Sequence, residues 1–132
     1  MFLDTSGLLH YLYETSPEHG PARDYIAASD FWLTHDLVLA ELVALAPRRG
    51  VDRRLVLEFV EDLQTSPFLK MVFVTSAIFE QAMALLKQRL DKDWSLCDAV
   101  SFVLMRKHNE LEALTSDHHF EQAGFRQLLK NN

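Results

Sequence analysis

The sequence predicts an α/β fold in which a short parallel sheet is covered by helices on both faces. Short apolar runs alternate with longer helical patterns along the 132 residues, which is typical of strands joined by helical crossovers. The runs are too short and too apolar to leave one face in water. Because a chain of this length fits one compact domain, we predict a single domain over residues 1–132.

In the first half of the chain, each element has its own signal. We predict a strand at Met1–Leu3, a helix opened by Asp4, a helix at Pro21–Ala28 and a strand at Phe31–Thr34. Asp36 is a favourable cap for the next helix, which Pro47 ends near Ala46. An apolar residue at every fourth position predicts an amphipathic helix over Val51–Leu63, with Val51, Leu55, Phe59 and Leu63 on its buried face.

The second half continues the alternation. We predict a strand at Met71–Val74, a helix from Ser76 to about Leu90, a helix from Ser95 to about His108, a strand at Ala113–Thr115, a short helix at Asp117–Ala123 and an edge strand at Phe125–Leu128. Ligands bind beyond the carboxyl ends of the strands in such sheets. Asp4 and Asp117 both follow strands, which directs attention to that edge.

Composition narrows the function classes. The formal net charge is −6, which argues against a general phosphate-coating nucleic-acid binder but not against a nuclease built on carboxylates. Cys97 is the single cysteine, so no internal disulfide can form. No run approaches the ~20 apolar residues of a membrane span, and the N-terminus lacks a signal-peptide pattern. We therefore expect a soluble, cytoplasmic protein.

Two acids interrupt otherwise apolar helices. Glu41 is the one charged residue in the segment 37–46, and Asp98 lies in the apolar segment 95–105. An isolated buried carboxylate costs several kcal/mol unless it is paired, neutralised or bound to metal. Each acid also has a structural explanation: Glu41 can mark a narrow polar edge, and Ser95 with Asp98 resembles a capping box.

Asp4 and Asp117 can likewise be explained singly as helix caps. Taken together, however, two acids at strand ends and two on apolar helices can meet at one edge of a parallel sheet. Crowded carboxylates repel one another, and a hard divalent cation such as Mg²⁺ or Mn²⁺ removes that conflict. Such a site can activate a water for phosphoryl displacement.

Four segments in order resemble the motifs of the PIN-domain family, closest to the VapC-like toxins of type II toxin–antitoxin pairs. They are Phe2-Leu3-Asp4-Thr5-Ser6, the helix with Glu41, Ser95-Leu96-Cys97-Asp98-Ala99, and residues 114–125 with Asp117-His118-His119-Phe120. The departures from the family pattern are Cys97, where a threonine or similar small residue is expected, and the very short N-terminal strand.

The resemblance implies a three-layer α/β/α sandwich and a Mg²⁺- or Mn²⁺-dependent endoribonuclease acting on single-stranded or structured RNA. It also implies a homodimer and an antitoxin protein that blocks the site. Carried over by position, the acidic quartet that holds metal and performs catalysis is Asp4, Glu41, Asp98 and Asp117. Thr5, Ser6 and Thr115 are the supporting polar residues.

Two other functions remain as alternatives. A haloacid-dehalogenase-like phosphatase also starts with a strand-end aspartate, but it needs a second aspartate where this chain has Ser6. A catalytically degenerate PIN-like binding or scaffold module is the other alternative. The sequence leaves open the roles of His118, His119, Asp93 and Trp94, and whether the arginines at 48, 49, 53 and 54 contact RNA.

Overall fold

A computed structural model describes residues 1–130 and shows a five-stranded, wholly parallel sheet with the strand order β3-β2-β1-β4-β5. The strands are β1 Phe2–Leu3, β2 Trp32–His35, β3 Leu69–Val72, β4 Glu112–Leu114 and β5 Arg126–Gln127. The predicted α/β sandwich is confirmed. The last two residues of the predicted domain lie outside the described range.

Seven α-helices accompany the sheet within residues 1–130. They are α1 Thr5–Leu12, α2 His19–Ala28, α3 Asp36–Leu45, α4 Arg53–Thr65, α5 Ser76–Gln88, α6 Leu96–Lys107 and α7 His119–Gln122, with a 3-10 helix at Pro47–Arg49 after α3. α1 contacts α2 and α3, and α3 contacts α4, whereas α6 contacts α5 and α7. These two groups form the outer layers. No helix in the described residues is long and apolar enough to cross a membrane.

β1 is the central strand although it has only two residues. Phe2 and Leu3 are fully buried, and both register with β4 while Phe2 also registers with Leu33 of β2. The Phe2 ring packs in a tilted arrangement against His35 of β2 and Phe120 of α7, with centroid distances of 5.8 Å and 6.0 Å. The core is therefore organised around the strand that leads into Asp4.

Gly7 allows α1 to lie directly against β4. A Cβ atom at position 7 would come within 1.9 Å of the Leu114 carbonyl oxygen, far inside van der Waals contact. The close approach brings the first turn of α1 beside the residues that follow β4. Gly7 thus positions the carboxyl edge of the sheet.

Several local predictions were wrong. The buried face of α4 is formed by Val56 and Leu63 with Phe59 half-buried, and Leu55 is 47% exposed, because a four-residue spacing drifts around a helix of 3.6 residues per turn. α4 also begins later than predicted, with Asp52 as its cap.

Two predicted caps are not the caps that the structure shows. The Asp36 carboxylate accepts the Val74 N–H at 2.9 Å and so joins α3 to the chain after β3. Thr75 rather than Ser76 caps α5, because its hydroxyl accepts the Ile78 N–H. α3 is also not buried on every face, since Ala40 and Ala44 are exposed. Small apolar residues carry too little surface for burial to be inferred from them alone.

Candidate active site

The carboxyl ends of β1 and β4 meet because the two strands are paired in parallel. Asp4 directly follows β1, and its backbone N–H donates to the Leu114 carbonyl at 3.2 Å. Thr115, Ser116 and Asp117 follow β4. Residues that are more than a hundred positions apart in the chain therefore share one edge.

Hydroxyl groups fix the Asp4 carboxylate. The Thr115 hydroxyl donates to Asp4 Oδ2 at 2.7 Å, and Ser6 Oγ lies 3.2 Å from the same oxygen. Ser6 Oγ is also 3.0 Å from Thr115 Oγ1 and accepts the Ser116 N–H at 3.0 Å. Thr115 Oγ1 accepts the Asp117 N–H at 3.0 Å. Two hydroxyls thus link the first acid to the backbone that carries the last.

Asp4 is buried, and this burial raises the pKa of its carboxyl from the ordinary value of 3.8 to about 7. The Thr115 hydrogen bond acts in the opposite direction, and the negative charges of Asp98 and Asp117 add to the increase. Asp4 occupies the N-cap position of α1 but its side chain makes no capping hydrogen bond. The carboxylate is therefore not explained by helix capping.

Asp98 is a capping residue and also faces the site. Its Oδ2 accepts the Ser95 N–H at 3.0 Å while Ser95 Oγ accepts the Asp98 N–H, which completes the capping box at the start of α6. Burial raises the pKa of Asp98, the Ser95 hydrogen bond lowers it, and the charge of Asp117 raises it. Asp4, Asp98 and Asp117 are therefore close enough to influence one another electrostatically.

His119 bridges two of these acids, a contact that the sequence left open. Its Nδ1 lies 3.0 Å from Asp98 Oδ2 and 3.3 Å from Asp117 Oδ1. The His119 backbone N–H also donates to Asp117 Oδ1 at 2.9 Å. His118 is largely exposed, with its Nδ1 3.7 Å from Asp117 Oδ1. Within residues 1–130, the donor atoms of Asp117, His118 and His119 form a group in which all lie within 4.8 Å of one another.

Glu41 reaches the cluster through Cys97. Burial raises the pKa of the Cys97 thiol, and the charges of Glu41, Asp4 and Asp98 raise it further. The thiol thus lies among three of the four predicted acids, with the half-buried Glu41 carboxylate against it. The structure brings Asp4, Asp98 and Asp117 close enough for their charges to act on one another, and Glu41 lies against Cys97, the residue next to Asp98. In residues 1–130 the tight group of donor atoms within 4.8 Å contains Asp117 but neither Asp4 nor Asp98.

The structure gives different surroundings to three other residues that the sequence analysis considered, Thr5, Trp94 and Asp93. The Thr5 hydroxyl is buried without a hydrogen-bond partner in residues 1–130, and Thr5 acts on Asp4 through its backbone N–H instead. Trp94 packs as a core residue, because its Nε1–H donates to Gln122 and its ring meets Phe102 edge-on. The Asp93 side chain is exposed, as a solvated loop acid would be.

The donors at this edge suit a divalent cation. Carboxylate oxygens are the ligands that Mg²⁺ and Mn²⁺ prefer, and an imidazole nitrogen suits first-row transition metals. Burial and mutual repulsion already raise the pKa of Asp4, and a bound cation would relieve both. Asp4, Asp98 and Asp117 would hold such an ion, with Glu41 nearby.

Comparison with known proteins agrees with this fold. The PIN domain family matches residues 1–126. The chain is a PIN-domain protein. The match extends from β1 into β5 and includes every segment that carries the resemblance.

This PIN domain is also similar to individual VapC proteins. It is 30% identical over 126 residues to the 23S rRNA-specific endonuclease VapC20 from two strains of Mycobacterium tuberculosis, covering 95% of each chain. The crystal structure of Mycobacterium tuberculosis VapC20, described as a sarcin–ricin loop cleaving toxin, superposes with a TM-score of 0.86 at 28% identity and 98% coverage of both chains. The VapC-like branch predicted from the sequence is confirmed.

Proposed function

We propose that this PIN domain is a divalent-cation-dependent endoribonuclease and the toxin of a toxin–antitoxin pair. The observation that carries the proposal is the meeting of the Asp4, Asp98 and Asp117 carboxylates at one sheet edge, where burial and repulsion raise the pKa of Asp4 to about 7. Folding does not require this arrangement, since crowded carboxylates oppose it. The similarity of the chain to a 23S rRNA-specific endonuclease supports RNA as the substrate.

Each residue has a defined part in the proposed reaction. Asp4, Glu41, Asp98 and Asp117 would hold Mg²⁺ or Mn²⁺, and the ion would supply charge neutralisation for phosphodiester hydrolysis and lower the pKa of a bound water. Thr115 and Ser6 fix the orientation of the Asp4 carboxylate through the hydrogen bonds at 2.7 and 3.2 Å. His119 orients Asp98 and Asp117 before the ion binds.

Cleavage of an RNA hairpin with the sarcin–ricin loop sequence tests the activity. Purified protein is incubated with the labelled RNA in Mn²⁺, in Mg²⁺ and in EDTA, and the products are separated on a denaturing gel. We expect a defined cut that needs the cation and is retained by Asp93→Asn, an exposed acid outside the cluster. If the hairpin stays intact under all three conditions, the substrate is another RNA, and the assay is repeated with total cellular RNA. Total cellular RNA that also stays intact excludes the nuclease.

Thermal denaturation separates the nuclease from a degenerate scaffold. If Mn²⁺ binds the folded protein and not the unfolded chain, the free energy of unfolding increases by about 2.7 kcal/mol at a free ion concentration of a hundred times Kd. This increase raises Tm by roughly 5–10 °C for a chain of this size. We expect this increase for the wild type and for Asp93→Asn, and its loss in Asp4→Asn. A scaffold without a site shows no increase in any of the three.

The antitoxin and the dimer belong to the same proposal. A cognate antitoxin would bind the folded toxin and suppress its cleavage. Co-expression of the protein encoded by the neighbouring reading frame, followed by purification and light scattering, tests both the partner and the proposed homodimer. Isolation of a monomeric chain that cleaves RNA at full rate would remove the dimer from the proposal and leave the nuclease.

A further inference from the structure

A cavity with both polar and apolar walls adjoins the acidic edge and is not used by the proposed metal site. It has a volume of about 410 Å³ and is lined by residues that include Ser6, His10, Tyr13, Ser16, Arg49 and Ser116. Ser6 belongs to both places, because its Oγ is 3.2 Å from Asp4 Oδ2. A cavity of this volume falls in the range of about 300–1,000 Å³ that small ligands occupy.

The His10 imidazole links two segments of the cavity wall through hydrogen bonds. His10 Nδ1 lies 2.5 Å from Ser16 Oγ, and His10 Nε2 lies 3.0 Å from Ser116 Oγ. A third contact joins His19 Nδ1 to the His10 carbonyl at 3.1 Å. These bonds tie α1 to the loop before α2 and to the chain after β4. The polar groups are thus arranged before any ligand arrives, which reduces the ordering cost of binding.

Two further lining residues supply recognition chemistry. Arg49 is the one lining residue with a fixed positive charge, it is exposed, and it forms no salt bridge within residues 1–130. A guanidinium pairs with a phosphate through two parallel hydrogen bonds. Tyr13 leaves 43% of its surface exposed at the same cavity. An exposed aromatic ring provides a face on which a base can stack.

We propose that this cavity binds one nucleotide of the RNA strand beside the phosphodiester that lies at the acidic edge. Arg49 contacts its phosphate, Tyr13 stacks on its base, and the hydroxyls of Ser16 and Ser116 with His10 face its sugar. The proposal rests on the proposed function and names the part of the site that holds the substrate. It also gives a chain of net charge −6 a cationic contact for RNA, since Arg49 lines a cavity that shares Ser6 with the acidic edge.

Binding measured without cleavage tests this nucleotide site. A fluorescein-labelled, single-stranded oligoribonucleotide of mixed sequence is titrated with the full chain, in EDTA and again in Ca²⁺, and anisotropy is recorded across a range of salt concentrations. Arg49→Ala is compared with Arg48→Ala, its exposed neighbour in the same 3-10 helix, which does not line the cavity. Tyr13→Ala is compared with Tyr13→Phe, which retains the ring.

We expect Arg49→Ala to weaken binding about tenfold and to reduce the slope of log K against log salt by about 0.7. Tyr13→Ala should weaken binding about tenfold, whereas Arg48→Ala and Tyr13→Phe should bind as the wild type does. The four variants change three exposed side chains, and circular dichroism tests whether each variant folds.

Equal losses from the two arginine variants, or wild-type binding by Tyr13→Ala, overturn the nucleotide site. Binding by a peptide partner that depends on Arg49 and Tyr13, with no such dependence for RNA, overturns it as well. The proposed function fails separately, if the wild type leaves RNA intact in Mn²⁺. Arg49-dependent RNA binding would then remain as a property of the cavity.

Discussion

The first turns of α1 and α6 each carry a buried aspartate, and the two carboxylates are held in different ways. Asp98 closes a reciprocal capping box with Ser95, three residues before it. Asp4 stands at the N-cap position of α1 yet makes no cap bond, and its hydroxyl partner Thr115 lies 111 residues away. Asp98 is held by the cap of its own helix, whereas Asp4 accepts hydrogen bonds from the Ser6 hydroxyl of α1 and from Thr115, more than a hundred residues away.

This difference shows which acid marks function more strongly. A capping box accounts for Asp98 with ordinary helix stability, so its presence alone says little about chemistry. No local requirement accounts for Asp4, whose burial raises its pKa to about 7 and therefore opposes ionisation in the folded protein. A buried carboxylate that does not serve its own helix is the sharper indicator of a binding site.

The largest expected effect is on cleavage, where the two acids should behave alike. Asp4→Asn and Asp98→Asn each remove a negative charge from the proposed metal site, and we expect RNA cleavage to fall about 10³-fold in both. Single-turnover cleavage assays with Asp93→Asn as the control measure this loss. Wild-type rates in both variants, from preparations free of other nucleases, would exclude these acids from catalysis.

The packing that brings Asp4 to Thr115 should be the most sensitive structural contact. Gly7→Ala places a methyl group within 1.9 Å of the Leu114 carbonyl oxygen, so α1 must move away from β4. We expect a loss of about 3 kcal/mol in the free energy of unfolding, measured by urea denaturation. Gly20→Ala is the matched control, because nothing lies within 4 Å of a Cβ atom there. Equal stability of the two variants would contradict the proposed tight approach.

The pH dependence of the free energy of unfolding should reveal the buried carboxyl of Asp4. The folded state raises the pKa of Asp4 from 3.8 to about 7, so it binds this proton more tightly than the unfolded chain does. The resulting stability is present below pH 4 and is lost as the pH rises through about 7. In EDTA at pH 8, Asp4→Asn should therefore be more stable than the wild type by up to about 4 kcal/mol, and at pH 4 the difference should vanish.

Urea denaturation at the two pH values measures this difference, with Asp93→Asn as an exposed control. Asp4→Asn that is less stable than the wild type at pH 8 would show that its carboxylate contributes to folding rather than opposing it. The comparison is made without divalent ions because a bound cation would stabilise the wild type alone.

The smallest expected effect belongs to the α6 cap. Ser95→Ala removes the hydroxyl that accepts the Asp98 N–H, and loss of such a cap costs about 1 kcal/mol. Ser76→Ala, at the exposed first residue of α5 beside the Thr75 cap, is the control. Thermal denaturation measures both. If the two serine variants melt together, the box contributes little and Asp98 is as free of its helix as Asp4.

The sheet and its carboxyl edge follow from sequence pattern because buried parallel strands and helix breaks leave strong local signals. β1, the break at Pro47 and the Ser95 cap all lie within two residues of their predicted positions. The orientation of Leu55 was not predictable in the same way, since a stripe of four-residue spacing fits more than one helical face. Caps with adjacent candidates, such as Thr75 and Ser76, differ by geometry that sequence does not show.

The sequence named the acidic residues of the candidate site but not the contacts that neighbouring side chains make with them. His119 follows Asp117 closely, but its contact with Asp98 depends on how α7 packs against α6. Cys97 stood out as a departure from the family pattern, yet its place beside Glu41 required the packed helices. The cavity at Arg49 joins α1, the loop before α2, the 3-10 helix and the chain after β4. No local pattern links such distant segments.

The central position of β1 determines when this edge can exist during synthesis. Asp4 is synthesised 111 residues before Thr115, and β4, which pairs with β1 on that side, is likewise made long after it. A nascent chain that stops before β4 lacks the Thr115 hydroxyl, which orients Asp4. It also lacks Asp117. On the proposed function, the metal site therefore cannot form on the ribosome until Thr115 and Asp117 have been made.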